Sequence, residues 1–202
     1  CTLRTISEAQ AKIQSEEFFI AALETARIIE HPKEKVEAMQ EIARAQFQSG
    51  QFSAALETVQ EIQAEAEGEQ AVELIVISAE NQVKVEGREA AQDTYATSIK
   101  LVHKIKNDGI QAKLLETVAK SQAKSSFGAL AIRTTDMVLI NRNKHLPNIA
   151  KVMAEIGDRD NFKRLLIPSA YYLDAAYEIC GHLALLYPKQ AAAIAKVVSE
   201  FH

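Results

Sequence analysis

One short segment that occurs twice constrains this chain more than any other feature. Phe19-Ile-Ala-Ala-Leu-Glu-Thr25 returns as Phe52-Ser-Ala-Ala-Leu-Glu-Thr58, displaced by 33 residues. A period of about 33 to 36 residues is what two short helices and two turns occupy, and such a pair buries its apolar face only by stacking on its neighbours. A repeat architecture is therefore the first expectation for the fold.

The clearest unit bears this out in pattern. Val36, Met39, Ala43 and Phe47 recur at three- and four-residue steps, which places them along one face of a helix. Ser49-Gly50-Gln51 interrupts the pattern, and Phe52, Ala55, Leu56, Val59 and Ile62 resume it on a second helix able to pack antiparallel on the first. Composition agrees: 48% of the residues are apolar, Gly and Pro number only 7 and 4, and Trp is absent. Ala, Glu, Leu, Gln and Lys, which favour helix, dominate. The periodicity predicts helices over 3–14, 17–30, 33–48, 51–66, 69–85, 88–106, 110–125, 127–141, 145–156, 159–167, 169–187 and 189–201, separated by breakers such as Pro32, Gly50, Gly87, Asp108-Gly109, Gly157 and Pro188. No Ser/Gly-rich or low-complexity stretch divides residues 1–202, so one helical-repeat domain is expected.

Ala43, Gly50, Phe52 and Ala55 have the spacing of the small, glycine, aromatic and alanine signature positions of tetratricopeptide repeats, which this chain resembles in degenerate form. The frame recurs as Ala9, Glu16, Phe18 and Ala22 with one residue inserted, and as Ala79, Glu86, Arg88 and Ala91. Ala119 and Phe127 fit with one residue deleted, Ala150 and Gly157 fit with a longer turn to Phe162, and Gly181, Pro188 and Ala193 form the weakest copy. The family's first-helix Trp and Tyr are missing, and Gln46, Gln82 and Gln122 stand at the Tyr position. The resemblance implies a right-handed α-solenoid of about five to six antiparallel hairpins. Armadillo-like and other helical solenoids stack hairpins in a related way.

Motifs for chemistry are sparse. The two cysteines, Cys1 and Cys180, indicate neither a disulfide framework nor a Cys-based zinc site. The histidines at 31, 103, 145, 182 and 202 share no metal-ligand spacing. Asp158-Arg-Asp160 lacks the glycine and the distal glutamate of a calcium loop and reads as a helix N-cap. There is no Gly-rich phosphate loop, no nucleophile elbow and no apolar run of membrane-spanning length. Cys180 reads as an inert core thiol on the stripe Leu173, Tyr177, Cys180, Ala184 and Tyr187, while one of the adjacent Tyr171 and Tyr172 is expected to be exposed at an interface. No cofactor is expected.

Charge is unevenly spread. Residues 1–100 hold 9 Lys/Arg against 18 Asp/Glu and residues 101–202 hold 14 against 9, giving −9 and +5. In tetratricopeptide-like stacks the first helix of each hairpin lines the concave face, so the resemblance implies partner-binding positions at Arg44, Phe47, Gln48, Glu80, Lys84, Lys113, Lys120, Lys124, Lys144 and Lys151. The face would run from mixed or acidic to basic. Its basic end suits an acidic peptide or a C-terminal carboxylate. Nucleic acid is disfavoured by the overall acidity and by the lack of aromatic residues among those lysines.

The expected function is a noncatalytic protein-interaction scaffold, of bacterial type and cytoplasmic. A lipid-anchored envelope scaffold beginning at a processed Cys1 and an enzyme with an unrecognised site are the alternatives. The start at Cys1 suggests a fragment or processed part of a longer chain.

Overall fold

The structure is a computed structural model that describes residues 4–6, 15–65, 69–169, 171–190 and 192. Among the described residues all regular structure is helical and there is no strand. The helices are α1 (Glu16–Arg27), α2 (Pro32–Gln48), α3 (Phe52–Glu65), α4 (Glu69–Val85), α5 (Arg88–Val102), α6 (Asp108–Lys124), α7 (Gly128–Asp136), α8 (Arg142–Glu155), α9 (Arg159–Ser169), α10 (Leu173–Gly181) and α11 (Leu183–Leu186). Most of the expected helices 3–14 and 189–201 lies outside the described residues, as do Ala9 of the second copy of the frame and Ala193 of the weakest one. None of the described helices is long and apolar enough to cross a membrane.

The chain forms two compact units, residues 1–106 and 107–202. In the first, α2 packs on α3 and α4 on α5 as hairpins, α1 packs on α2, and α2 also touches α4. Arg27 donates to Glu61 from Nε (3.1 Å) and Nη2 (2.5 Å), tying the end of α1 to α3. In the second, α6 pairs with α7 and α8 with α9, while α8 also packs on α6, α10 and α11. Buried Ala119, Ala150, Met153, Phe162, Leu165 and Ile179 belong to one apolar cluster of this unit.

Three of the four hairpin turns are built alike. The amide of Gln51 donates to the Gln46 carbonyl (2.9 Å), that of Phe127 to Gln122 (2.8 Å) and that of Asp158 to Met153 (2.9 Å). Each spans a residue in the left-handed region: Gly50 at φ 81°, Ser126 at φ 62° and Gly157 at φ 76°. This six-to-one bond satisfies carbonyls that the end of a helix would otherwise leave without partners. The following helix starts at once, and Asp158 caps α9 as expected, its Oδ1 accepting from the Asn161 amide at 3.2 Å.

Inside three hairpins the same polar pair recurs. Thr58 Oγ1 donates to Gln46 Oε1 at 2.9 Å, Thr94 Oγ1 to Gln82 Oε1 at 2.6 Å, and Thr134 Oγ1 to Gln122 Oε1 at 2.8 Å, each pair twelve residues apart. All six side chains are buried. In the fourth hairpin the same spacing joins Met153 to Leu165, both fully buried, so an apolar pair replaces the polar one. A buried amide is tolerated only with a partner, and the threonine on the second helix supplies it.

Two regions depart from expectation beyond a shortened end of α5, which stops at Val102 rather than 106. α7 ends at Asp136 because the amides of Met137 and Val138 turn back to Thr134 and Thr135 (both 3.1 Å), and α8 begins early, from Asn141 at φ 49°. The expected helix 169–187 is broken: the chain turns at Ser169, whose carbonyl accepts from the Tyr172 amide (2.8 Å), and breaks again at His182. The register of the expected stripe is lost with it. Ala175, Ile179 and Leu186 face inward, whereas Leu173, Tyr177, Cys180 and Ala184 are exposed. Cys180 is therefore not a core thiol. Both Tyr171 and Tyr172 are exposed.

Candidate functional site

First helices lie side by side within each unit, α2 beside α4 and α6 beside α8. Side chains at equivalent places link them. Gln40, three residues before Ala43, donates from Nε2 to Gln70 Oε1 of α4 at 2.8 Å. Glu116, three residues before Ala119, meets Nδ1 of His145 on α8, and the two are only 14% and 15% exposed. Glu116 also receives Lys120 Nζ at 3.5 Å from its own helix. One carboxylate thus joins two helices and holds a lysine, in a setting dry enough to strengthen the contact relative to open solvent.

The expected partner-binding residues divide into three groups. Arg44 is exposed and ion-paired to Glu41 one turn earlier on its own helix, while Gln48 and Lys84 are exposed and Glu80 is half-buried. Phe47 needs correction. It is 5% exposed, its ring tilted at 42° against Phe52 with centroids 6.3 Å apart, so it closes the α2–α3 hairpin and presents nothing to a ligand. It follows Ala43 by four residues, on the stripe that meets the second helix.

In the second unit the lysines fall on adjacent helices. Lys113, Lys120 and Lys124 belong to α6, and Lys144 and Lys151 to α8. Lys151 reaches Glu155 at 4.0 Å, a long, exposed pair that leaves its charge largely available. Lys113, Lys124 and Lys144 are exposed and make no ion pair with the described residues. The field between these helices is positive, and Glu116, itself committed to His145 and Lys120, is the half-buried anion within it.

A recess of about 440 Å³ opens between the start of α8 and α10, lined by Asn143, Lys144, Asp174, Ala175, Tyr177 and Glu178. Pro147 lies inside α8 and has no N–H to give to the Asn143 carbonyl four residues earlier. Among the described residues no three His, Cys, Asp or Glu side chains gather as a metal site would require.

The helix-to-helix contact of His145 and the recess on α10 were missed by sequence reasoning. A signal existed for the first, since Glu116 occupies the position of Gln40 in its own unit. For the second there was none, because the expected helix 169–187 put Tyr177 in the interior. A scan against protein-family models, a search of curated proteins and a search of solved structures each gave no match.

Proposed function

We propose that the chain is a noncatalytic, cytoplasmic protein-interaction scaffold of the tetratricopeptide-like kind, a right-handed stack of hairpins whose second unit holds an acidic peptide segment against α6 and α8. The observation that carries this reading is the trio Lys113, Lys124 and Lys144, exposed and without ion pairs among the described residues, on two adjacent first helices. The hairpin-by-hairpin repetition of the Gln–Thr pair supports the repeat architecture on which the groove assignment depends. Lysines of this kind act as point charges toward a carboxylate, giving salt-sensitive attraction with little demand on geometry. The Glu116–His145 contact fixes the spacing between the two rows, so a peptide can meet both at once.

The test is fluorescence anisotropy of a labelled Asp/Glu-rich peptide with the full chain, compared with a Lys113→Glu/Lys124→Glu variant. Saturable binding that weakens with added salt and falls at least about tenfold in the variant is the expected result. Equal affinity of the two proteins would refute the reading.

A further inference from the structure

The α10 face carries charge and apolar surface of a different character from the lysine rows. Leu173 and Tyr177, one turn apart, are each 84% exposed, and Tyr171 just before the helix is 87% exposed. Beside that stripe, Asp174 and Glu178 form a second one, also a turn apart and exposed, and neither has an ion pair among the described residues. Both acids and Tyr177 line the recess, whose far wall is Asn143 and Lys144 of α8. The recess thus presents two carboxylates and a phenol against one ammonium. Lys144 makes no direct ion pair with either carboxylate among the described residues, and its single charge offsets at most one of the two. The pocket is rich in acceptors, poor in donors, and bordered by aromatic surface.

We propose that this recess is a docking site for a protein segment that pairs a basic side chain, best an arginine, with a neighbouring apolar or aromatic anchor. The occupant follows from charge complementarity. A guanidinium entering the recess reaches Asp174 and Glu178 and can lie over the exposed Tyr177 ring, a combination of paired carboxylates and π-face that suits arginine better than lysine. The adjoining Leu173 and Tyr171 then cover the anchor, as aromatic and aliphatic side chains do at the centre of interfaces. Lys144 borders both surfaces, but the substitutions at Lys113 and Lys124 touch only the lysine rows and those at Asp174 and Glu178 only the recess, so either reading can fail without the other.

The experiment uses the full chain and two labelled peptides of equal length, one placing Arg between Trp and Leu, the other with Glu in place of Arg. Anisotropy is expected to show saturable binding of the arginine peptide alone. Asp174→Asn/Glu178→Gln should weaken it about tenfold, Tyr177→Ser should weaken it as well, and Lys113→Glu/Lys124→Glu should leave it unchanged. All of these side chains are exposed, and equal helicity by circular dichroism checks that the variants fold. Indifference to the acid substitutions, equal binding of both peptides, or no saturable binding at millimolar arginine peptide would each overturn the proposal. So would a concentration-dependent dimer that Tyr177→Ser abolishes in the absence of peptide binding, which would assign the face to a second copy of the chain.

Discussion

Replacing Thr134 by Val tests what the repeated polar pair contributes. The two side chains have nearly the same shape, so the substitution opens no cavity and removes only the hydroxyl that donates to Gln122 Oε1 at 2.8 Å. Gln122 is 1% exposed, and its amide oxygen would then face the interior with no donor. Stranding a buried acceptor costs about 1–3 kcal/mol, more than the roughly 1 kcal/mol net value of the bond itself. The reverse single change, Gln122→Met, should cost less. A threonine left alone can turn to the carbonyl one helical turn back, as Thr58 already does toward Ala54 at 3.0 Å. The double variant Gln122→Met/Thr134→Val copies the chemistry of Met153 and Leu165 and should recover most of the loss. Urea unfolding followed by circular dichroism gives the four free energies of the cycle, and a loss of about 2 kcal/mol should lower the melting temperature of a chain this long by roughly 4–8 °C. A Thr134→Val protein within about 0.5 kcal/mol of the parent, or a double variant less stable than both singles, would refute the reasoning.

Further outcomes follow from the same hairpins. Met153→Gln places an amide opposite Leu165 and should destabilise by about 1–3 kcal/mol in urea titration, with partial rescue by Leu165→Thr. Equivalent turn positions should respond with opposite signs: Gly157→Ala, at φ 76° with no atom near the added carbon, costs about 1 kcal/mol of backbone strain, while Ser126→Gly, at φ 62°, relieves a similar amount. Gly128→Ala should disrupt the α7–α9 contact, because its Cβ would stand 2.2 Å from Asn161 Nδ2 and 2.3 Å from Asp158 Oδ2, and the melting temperature should fall. Cys180 should react fully with a disulfide reagent in the native protein, at a rate that denaturant barely changes, as its exposure requires.

Periodicity made most of the fold readable, since helices that bury one face must repeat apolar residues at three- and four-residue steps, and α2 through α9 each fall on an expected span. Where sequence reasoning failed, two readings competed for one residue. Phe47 belonged both to the apolar stripe Val36, Met39, Ala43 and to the groove implied by family resemblance. Burial against Phe52 decides for the stripe. Around Cys180 the stripe itself was misplaced, because its phase assumed an unbroken helix over 169–187, whereas the chain turns at Ser169, just after Pro168, and breaks again at His182, just after Gly181.

The Gln–Thr pair shows how these hairpins close around a polar residue at a buried first-helix position. Read singly, Gln46, Gln82 and Gln122 are polar residues at buried sites, and each looks like a defect. Read with the residue twelve places on, each is complete: glutamine faces threonine in three hairpins, and methionine faces leucine in the fourth. The constraint acts on the pair, because polar or apolar partners can both close the helix crossing, whereas glutamine opposite an apolar residue leaves a buried amide oxygen unmatched. Exchanging both partners together is therefore expected to cost less than exchanging the threonine alone. Half of the signal was already on view in the recurring heptapeptide, whose last residue, Thr58, is the partner of Gln46.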